Sequence, residues 1–381
     1  MAMFTIIKNA NVYTPAPVGK KDILICGETI AAIEDSLDGI RLPGDVQVID
    51  VEGATVTPGF FDQHVHLTGG GGEGGFATRV PPVMPSQLLQ GGITTVCGVM
   101  GTEGTTKFPE ELYAKVMGLR QEGLTAYMHT GSYQFPSPTI TGNPRKDIIC
   151  IEPVLGVKLA LADHRCSFPN DDEMLKLVAD VRMGGMLSGK KGILHVHLGD
   201  YGGAYEQFER IIARGLPRHH FSPTHTGREP KLFEQAIEFA KKGGVIDITS
   251  GGGNYYPFVE CVERALKAGV DRSRITMSSD GNGSMPKFEN GVMVAIVAAP
   301  VNANHQMLKE MVAAGIDFET ALMMTTSNVA DSLGVKEARL QPGLKANLCV
   351  LTKSLDIDTV IARGTTWVRG GKSVKLANFE A

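Results

Sequence analysis

Pro58-Gly59-Phe60-Phe61-Asp62-Gln63-His64-Val65-His66-Leu67 opens as a short apolar run and closes on two histidines two residues apart. In an extended strand alternate side chains point to the same side. His64 and His66 therefore aim at one point while Val65 turns away. Two convergent imidazoles at the end of a buried strand are half of a metal site. The plainer reading is a pair of hydrogen-bonded core histidines, and the rest of the chain decides between the two.

Outward from this stretch, from Gly53 to about Leu333, apolar strand-like runs alternate with amphipathic helices. The later runs are Thr94–Met100, Thr125–Thr130, Val154–Leu161, Ile193–Leu198, Phe221–His225, Val245–Thr249 and Ile275–Ser279. Helical spacing is expected over Pro109–Glu122, Met174–Leu187, Tyr205–Arg214, Leu232–Lys242 and Pro257–Ala268, then near Gln306–Ala314 and Phe318–Ser332. This alternation argues for parallel βα units. Eight such strands fit an α/β (β/α)8 TIM-like barrel better than an open doubly wound sheet. Residues 134–153 hold Pro136, Pro138, Pro144 and Pro153, so a long loop is expected there.

Both ends of the chain read differently. Short β-like runs separated by turn residues fill residues 4–57 and return after Gly334. Each part is too small to fold alone. The expectation is one small β-sandwich domain built from residues 1–56 and 337–381, with the barrel over 57–336.

The 381 residues carry a formal net charge of −4, with 43% hydrophobic and 20% charged residues, as in an ordinary globular protein. There is no basic stripe for nucleic acid, no basic amphipathic helix for a membrane surface and no apolar run long enough to span a bilayer. No signal peptide is recognisable between Met1 and Pro15. The six cysteines are scattered with no CxxC pair, as expected of reduced residues in a cytoplasmic protein.

Polar residues recur where the barrel strands end. The first strand ends in His64 and His66, the third runs into Tyr133, the fourth carries Lys158, the fifth His195 and His197, the sixth His225, and the eighth Asp280. In a barrel of this type the C-terminal strand ends form the active-site face. Lys158 stands in the interior context Gly156-Val157-Lys158-Leu159-Ala160. A lone buried ammonium costs several kcal/mol, so the lysine snorkels out, pairs with Asp163, or loses its charge. Burial lowers a lysine pKa from its reference near ~10.4, and a neutral amine can add carbon dioxide to become a carbamate. Two metal sites follow: His64, His66 and Asp280 for one ion, His197 and His225 for the other, with the carbamate of Lys158 and a hydroxide joining them. Nitrogen and oxygen ligands without thiolate suit Zn²⁺ first. Of the two histidines on the fifth strand, His197 is nearer the strand's end and completes the set. His195 is left as a structural or supporting residue.

With these residues in view the chain resembles the isoaspartyl (β-aspartyl) dipeptidases of the amidohydrolase superfamily. The likeness runs through Pro58–Leu67, Gly69-Gly70-Gly71-Gly72-Glu73, Gly131-Ser132-Tyr133, Thr139–Gly142, Gly156–Lys158, Asp163-His164-Arg165, His197–Asp200, Pro223-Thr224-His225 with Arg228, and Ser278–Ser284. The resemblance implies hydrolysis of dipeptides at a two-metal site in which Asp280 serves as acid and base for a bridging hydroxide. By the same resemblance Tyr133 donates to the carbonyl oxygen as it becomes an oxyanion. Glu73 binds the free α-ammonium, with Gly71 and Thr102 nearby. Arg165, Arg228 and Ser284 bind substrate carboxylates. A homo-oligomer is implied on that basis too. The chain departs from the family at the additional His195, in a short segment Met285–Val301, and at Ala346-Asn347 where an aspartate is common.

Gly69–Gly74 matches GxGxxG in form but opens no helix, and Pro81-Pro82 follows it, which argues against nucleotide binding. No G-x-S-x-G is present for a serine hydrolase. Two other readings stand beside the dipeptidase: a cyclic-amide hydrolase of dihydroorotase or hydantoinase type using the same metals, and a barrel kept only as a binding surface.

Overall fold

The structure is a computed structural model that describes residues 3–289 and 292–380. Its centre is a set of parallel strands: β1 (Phe60–Val65), β2 (Ile93–Gly98), β3 (Thr125–Gly131), β4 (Val154–Leu161), β5 (Ile193–Leu198), β6 (Phe221–Thr224), β7 (Ile246–Thr249) and β8 (Ile275–Ser278). Every residue in them is buried, which is why they read as continuous apolar runs rather than alternating ones. β1 to β6 form a six-stranded sheet in chain order, and β7 pairs with β8. The sheet curls. Beyond the end of β6, Thr226 N donates to Asp247 O at 3.3 Å, and His66 N, beyond β1, donates to Gly281 O at 2.9 Å, beyond β8.

Helices lie between the strands, and Pro109–Glu122 spans the expected residues. Two expectations are corrected. The segment 134–153 is not loop throughout, because a helix runs from Pro144 to Cys150. Asn143 caps it by accepting from Lys146 N, and Pro144 sits at the first helical position, where a missing N–H costs nothing. The helix expected over Phe318–Ser332 is two, Phe318–Met323 and Ser327–Leu333. Between them the Thr325 carbonyl accepts from Phe61 N at 2.8 Å, so it serves the first parallel strand rather than a helix.

The chain ends meet in one hydrogen-bonded sheet of nine strands rather than two facing sheets. Strand Phe4–Tyr13 divides its pairing: its first half lies parallel to Val46–Asp50, and Asn11 and Val12 pair with Thr55 and Val56. Thr55–Pro58 in turn lies antiparallel to Leu348–Leu351, which stitches the two ends together. Both halves send side chains into one apolar cluster that includes Ile7, Val12, Ile25, Val56, Leu348, Val350 and Ile361. The other face of the later strands belongs elsewhere. Cys349, Val360 and Trp367 join the large core shared with Leu88, Ile93 and Leu119 of the βα region. Asn347 also crosses over, donating to Thr125 Oγ1 at 3.0 Å and accepting from Arg363 N at 2.8 Å. After β8, Ser284–Glu289 and Val292–Ala298 pair antiparallel, so the described residues of the short segment Met285–Val301 are largely a β-ribbon.

Candidate active site

The ends of the parallel strands bring the histidines to one place. His64 and His66 have ring centroids 5.3 Å apart, His64 and His225 5.0 Å, and His197 and His225 4.6 Å. Asp280 sits among them, its Oδ1 3.0 Å from His66 Nε2 and 3.3 Å from His64 Nε2, and its Oδ2 4.0 Å from His225 Nε2. His225 directly follows β6 and Asp280 comes two residues after the end of β8, and each has positive φ, 61° and 54°. Such a conformation costs a non-glycine residue about 1–3 kcal/mol and collects where function requires it. Here it turns two donors sharply inward from the strand ends.

Lys158 is fully buried, with Nζ 3.3 Å from His64 Nε2 and lying over the Tyr133 ring at 5.9 Å from its centroid. It neither snorkels to solvent nor pairs with Asp163. That carboxylate is taken by Arg165, through Nε and Nη2 at 2.8 Å each, and by His197 Nε2 at 2.9 Å. Burial pulls the Lys158 amine from 10.5 down to about 7. Loss of solvent pushes Asp280 upward, but His225, His66 and Arg228 outweigh it and hold the carboxyl well below the usual range. Burial keeps His64, His197 and His225 neutral, as metal-binding imidazoles must be.

Among the described residues, His64, His66 and Asp280 place one ligand atom each within 4.8 Å of one another. His66 Nδ1 and His225 Nε2 are buried with no hydrogen-bond partner. Unpartnered buried nitrogens are rare and costly. Imidazoles crowded on one ionised carboxylate fit a divalent cation. His197, His225 and Lys158 lie beside this group.

Around this cluster opens a cavity of about 370 Å³, lined by Gly71, Glu73, Thr102, Tyr133, Arg165, Arg228 and Ser284 among others. Tyr133 Oη is 2.6 Å from His197 Nδ1, and burial raises the phenol further so that it stays protonated. Glu73 accepts from Thr102 Oγ1 at 2.9 Å, from Arg165 Nη1 at 3.1 Å and from Ser284 Oγ at 3.2 Å. Arg228 turns inward, with Nη1 2.9 Å from His197 Nε2 and 3.1 Å from Leu198 O. Its neighbour Glu229 is occupied in capping the helix Pro230–Lys241. Gly71 has φ 83°, and a Cβ there would lie 2.3 Å from Thr78 O, so only glycine permits this close approach. All the residues expected at the site thus lie in or around one cavity. His195 lies behind them, against His64.

Several supporting residues escaped the sequence reading. Asp62 accepts from His64 N at 3.1 Å and from Ser279 N at 3.1 Å, so it ties together the two strand ends that carry His64 and Asp280. Thr249 Oγ1 holds His225 Nδ1 at 2.7 Å. Asp163 orients Arg165 and His197. Asp62 reaches Ser279 and Asp163 reaches His197 across the fold; in the sequence Asp62 stood out only within the opening stretch, and Asp163 only as a partner considered for Lys158 and as part of the resemblance.

The amidohydrolase family model matches residues 55–367. The crystal structure of a β-aspartyl dipeptidase from the thermophilic keratin-degrading Fervidobacterium islandicum AW-1, in complex with the dipeptide β-Asp-Leu, superposes with a TM-score of 0.93. It is 38% identical, with all of both chains covered. A dihydroorotase of Elusimicrobium minutum is 39% identical over 99 residues, 26% of this chain and 21% of that protein. An adenine deaminase of Paracoccus denitrificans is 22% identical over 377 residues, 95% of this chain and 56% of that one. The chain therefore spans about a fifth and just over half of these two curated relatives. The match to the family model and the whole-chain likeness to the dipeptidase agree: this chain belongs to the amidohydrolase family of hydrolases.

Proposed function

We propose that the protein hydrolyses the β-aspartyl amide bond of dipeptides, with two divalent metal ions, zinc first among them, held by His64, His66, His197, His225, Asp280 and a carbamate on Lys158. The observation that carries this reading is Glu73. Its carboxylate shares one cavity with the histidine–aspartate cluster, and it is bonded to Thr102, Arg165 and Ser284. A group for an ammonium and groups for carboxylates stand beside hydrolytic residues. Without substrate, Glu73 and Arg165 pair with each other. A dipeptide with a free ammonium and two carboxylates replaces that pair with its own charges.

Divalent cations at this cluster supply an activated water and polarise the scissile carbonyl. Asp280, ionised at neutral pH, takes the proton of the attacking water and returns it to the leaving amine. Tyr133 Oη donates to the carbonyl oxygen as negative charge develops. Arg165 and Arg228 hold the substrate's carboxylates with Ser284, and Gly71 and Thr102 flank Glu73. In this reading β1 to β8 are the wall of a (β/α)8 barrel over residues 57–336, with the small domain of residues 1–56 and 337–381 beside it. We place the enzyme in the cytoplasm: all six cysteines are free, and no helix among the described residues is long and apolar enough to cross a membrane. Assembly as a homo-oligomer is carried over from the resemblance.

Purified protein loaded with zinc is expected to release leucine from β-Asp-Leu and to leave α-Asp-Leu and dihydroorotate intact. Turnover of dihydroorotate with none of β-Asp-Leu rejects the reading. That outcome supports the cyclic-amide alternative, which the local match to a dihydroorotase favours.

A further inference from the structure

We propose that His195 is a positioning residue that fixes which ring nitrogen of His64 carries the proton, and so presents the other to the metal. This rests on the metal reading above. On β5, His195 pairs in register with Lys158 of β4 and with Ser222 of β6, one step deeper than His197. The ring is fully buried. Its Nε2 is 2.9 Å from His64 Nδ1, and its Nδ1 is 3.1 Å from Ser222 Oγ.

The far side of His64 faces the site, with Nε2 3.3 Å from Asp280 Oδ1. An imidazole that offers Nε2 to a metal keeps its proton on Nδ1, and the partner of that proton fixes both tautomer and ring orientation. His195 Nε2 is the atom nearest to it. Accepting at Nε2 obliges His195 to carry its own proton on Nδ1, where the Ser222 hydroxyl accepts it. His129 stacks on His195 with ring centroids 5.1 Å apart and planes 11° apart, which restricts rotation of the ring. Two arrangements of protons satisfy His64, His195 and Ser222, because the hydroxyl can donate or accept, and only the one in which His195 accepts from His64 leaves Nε2 of His64 free for a metal. A carboxylate or carbonyl commonly fills this place in metal sites. A neutral imidazole contributes orientation without adding charge.

The test compares His195→Leu, His195→Gln and Ser222→Ala with the unmodified protein. Glutamine places an acceptor oxygen near the position of Nε2, and leucine fills the space with none. Zinc per chain and zinc affinity, by competition with a chelator, are read alongside the melting temperature of the metal-free proteins. The Leu variant is expected to lose about 10–100-fold in affinity at one of two sites. The Gln variant is expected to recover to within a few-fold, and Ser222→Ala to shift in the same direction by less. In the cobalt(II) form, the exchangeable ring N–H resonance of His64, one among those of the ligand histidines, is expected in the unmodified protein and the Gln variant and absent in the Leu variant. Equal affinity in the unmodified and Leu proteins overturns the proposal, as does equal loss in Leu and Gln with a shared fall in melting temperature. If the Leu variant does not fold, the Gln variant alone decides, since weakened binding there with the resonance lost overturns the proposal. An unmodified protein that binds no divalent metal overturns the metal reading and this inference together. Two bound ions with no effect of His195 overturn the inference alone.

Discussion

Two aspartates, one inside β7 near its start and one just past the end of the neighbouring β8, live in opposite surroundings. Asp247, on β7, is fully buried and accepts four side-chain hydrogen bonds. Gln63 Nε2 at 2.6 Å and Thr276 Oγ1 at 2.8 Å reach one oxygen, and Thr224 Oγ1 at 2.7 Å and Ser278 Oγ at 2.6 Å reach the other. Asp280, just past β8, is ringed by histidines, two of which keep a buried nitrogen without a partner. Burial raises the Asp247 carboxyl above its ordinary range, whereas the surrounding imidazoles and Arg228 hold Asp280 below it. The first cluster is complete in itself. The second keeps two buried ring nitrogens without a partner. A polar group that is satisfied internally stabilises the fold, while one left wanting marks a site.

Substitutions that exchange these roles test the contrast. The largest effect is expected from Asp280→Asn: a fall of about 10⁴-fold in kcat/KM for β-Asp-Leu, with the melting temperature of the metal-free protein little changed. A matching fall in stability would mean that Asp280 belongs with Asp247. Tyr133→Phe follows, with a loss of about 10²–10³-fold in kcat and little change in KM, since the phenol acts only as charge develops on the oxyanion. Asp247→Ala leaves Gln63, Thr224, Thr276 and Ser278 without their shared acceptor. It is expected to destabilise the protein by about 3 kcal/mol in denaturant unfolding while metal content per chain is kept. Loss of metal without loss of stability would reverse that assignment. The smallest effect is expected from Glu73→Gln, about 10–100-fold in kcat/KM for β-Asp-Leu, as a charged hydrogen bond to the ammonium is weakened. Unchanged turnover there would favour a substrate with no ammonium.

What the sequence discloses follows the range of the physics. The His-x-His of β1 and the continuous apolar run of β4 are local signals, and the strands stand at or near where that patterning puts them. The helix Pro144–Cys150 was equally local, written in Asn143-Pro144, but a count of prolines hid a start signal behind a breaker. The division between Phe318–Met323 and Ser327–Leu333 is not local. It depends on Phe61 N claiming the Thr325 carbonyl across the molecule. The same distance explains the site. Its donors stand out because charged and imidazole groups are unusual in buried strands, whereas Asp62, Ser222 and Thr249 look ordinary until folding sets them against their partners. The single sheet at the chain ends was hidden for the same reason, since its stitch joins Thr55–Pro58 to Leu348–Leu351.

That stitch also sets an order in time. A ribosome adds roughly 5–20 residues per second, so Pro58 emerges some tens of seconds before Leu348, the residue it pairs with. Through that interval the early strands offer an open edge, the surface on which chains pair wrongly with one another. The protein is therefore expected to be most prone to aggregate while it is still being made, and least so once Trp367 has been drawn into the core and the edge is closed.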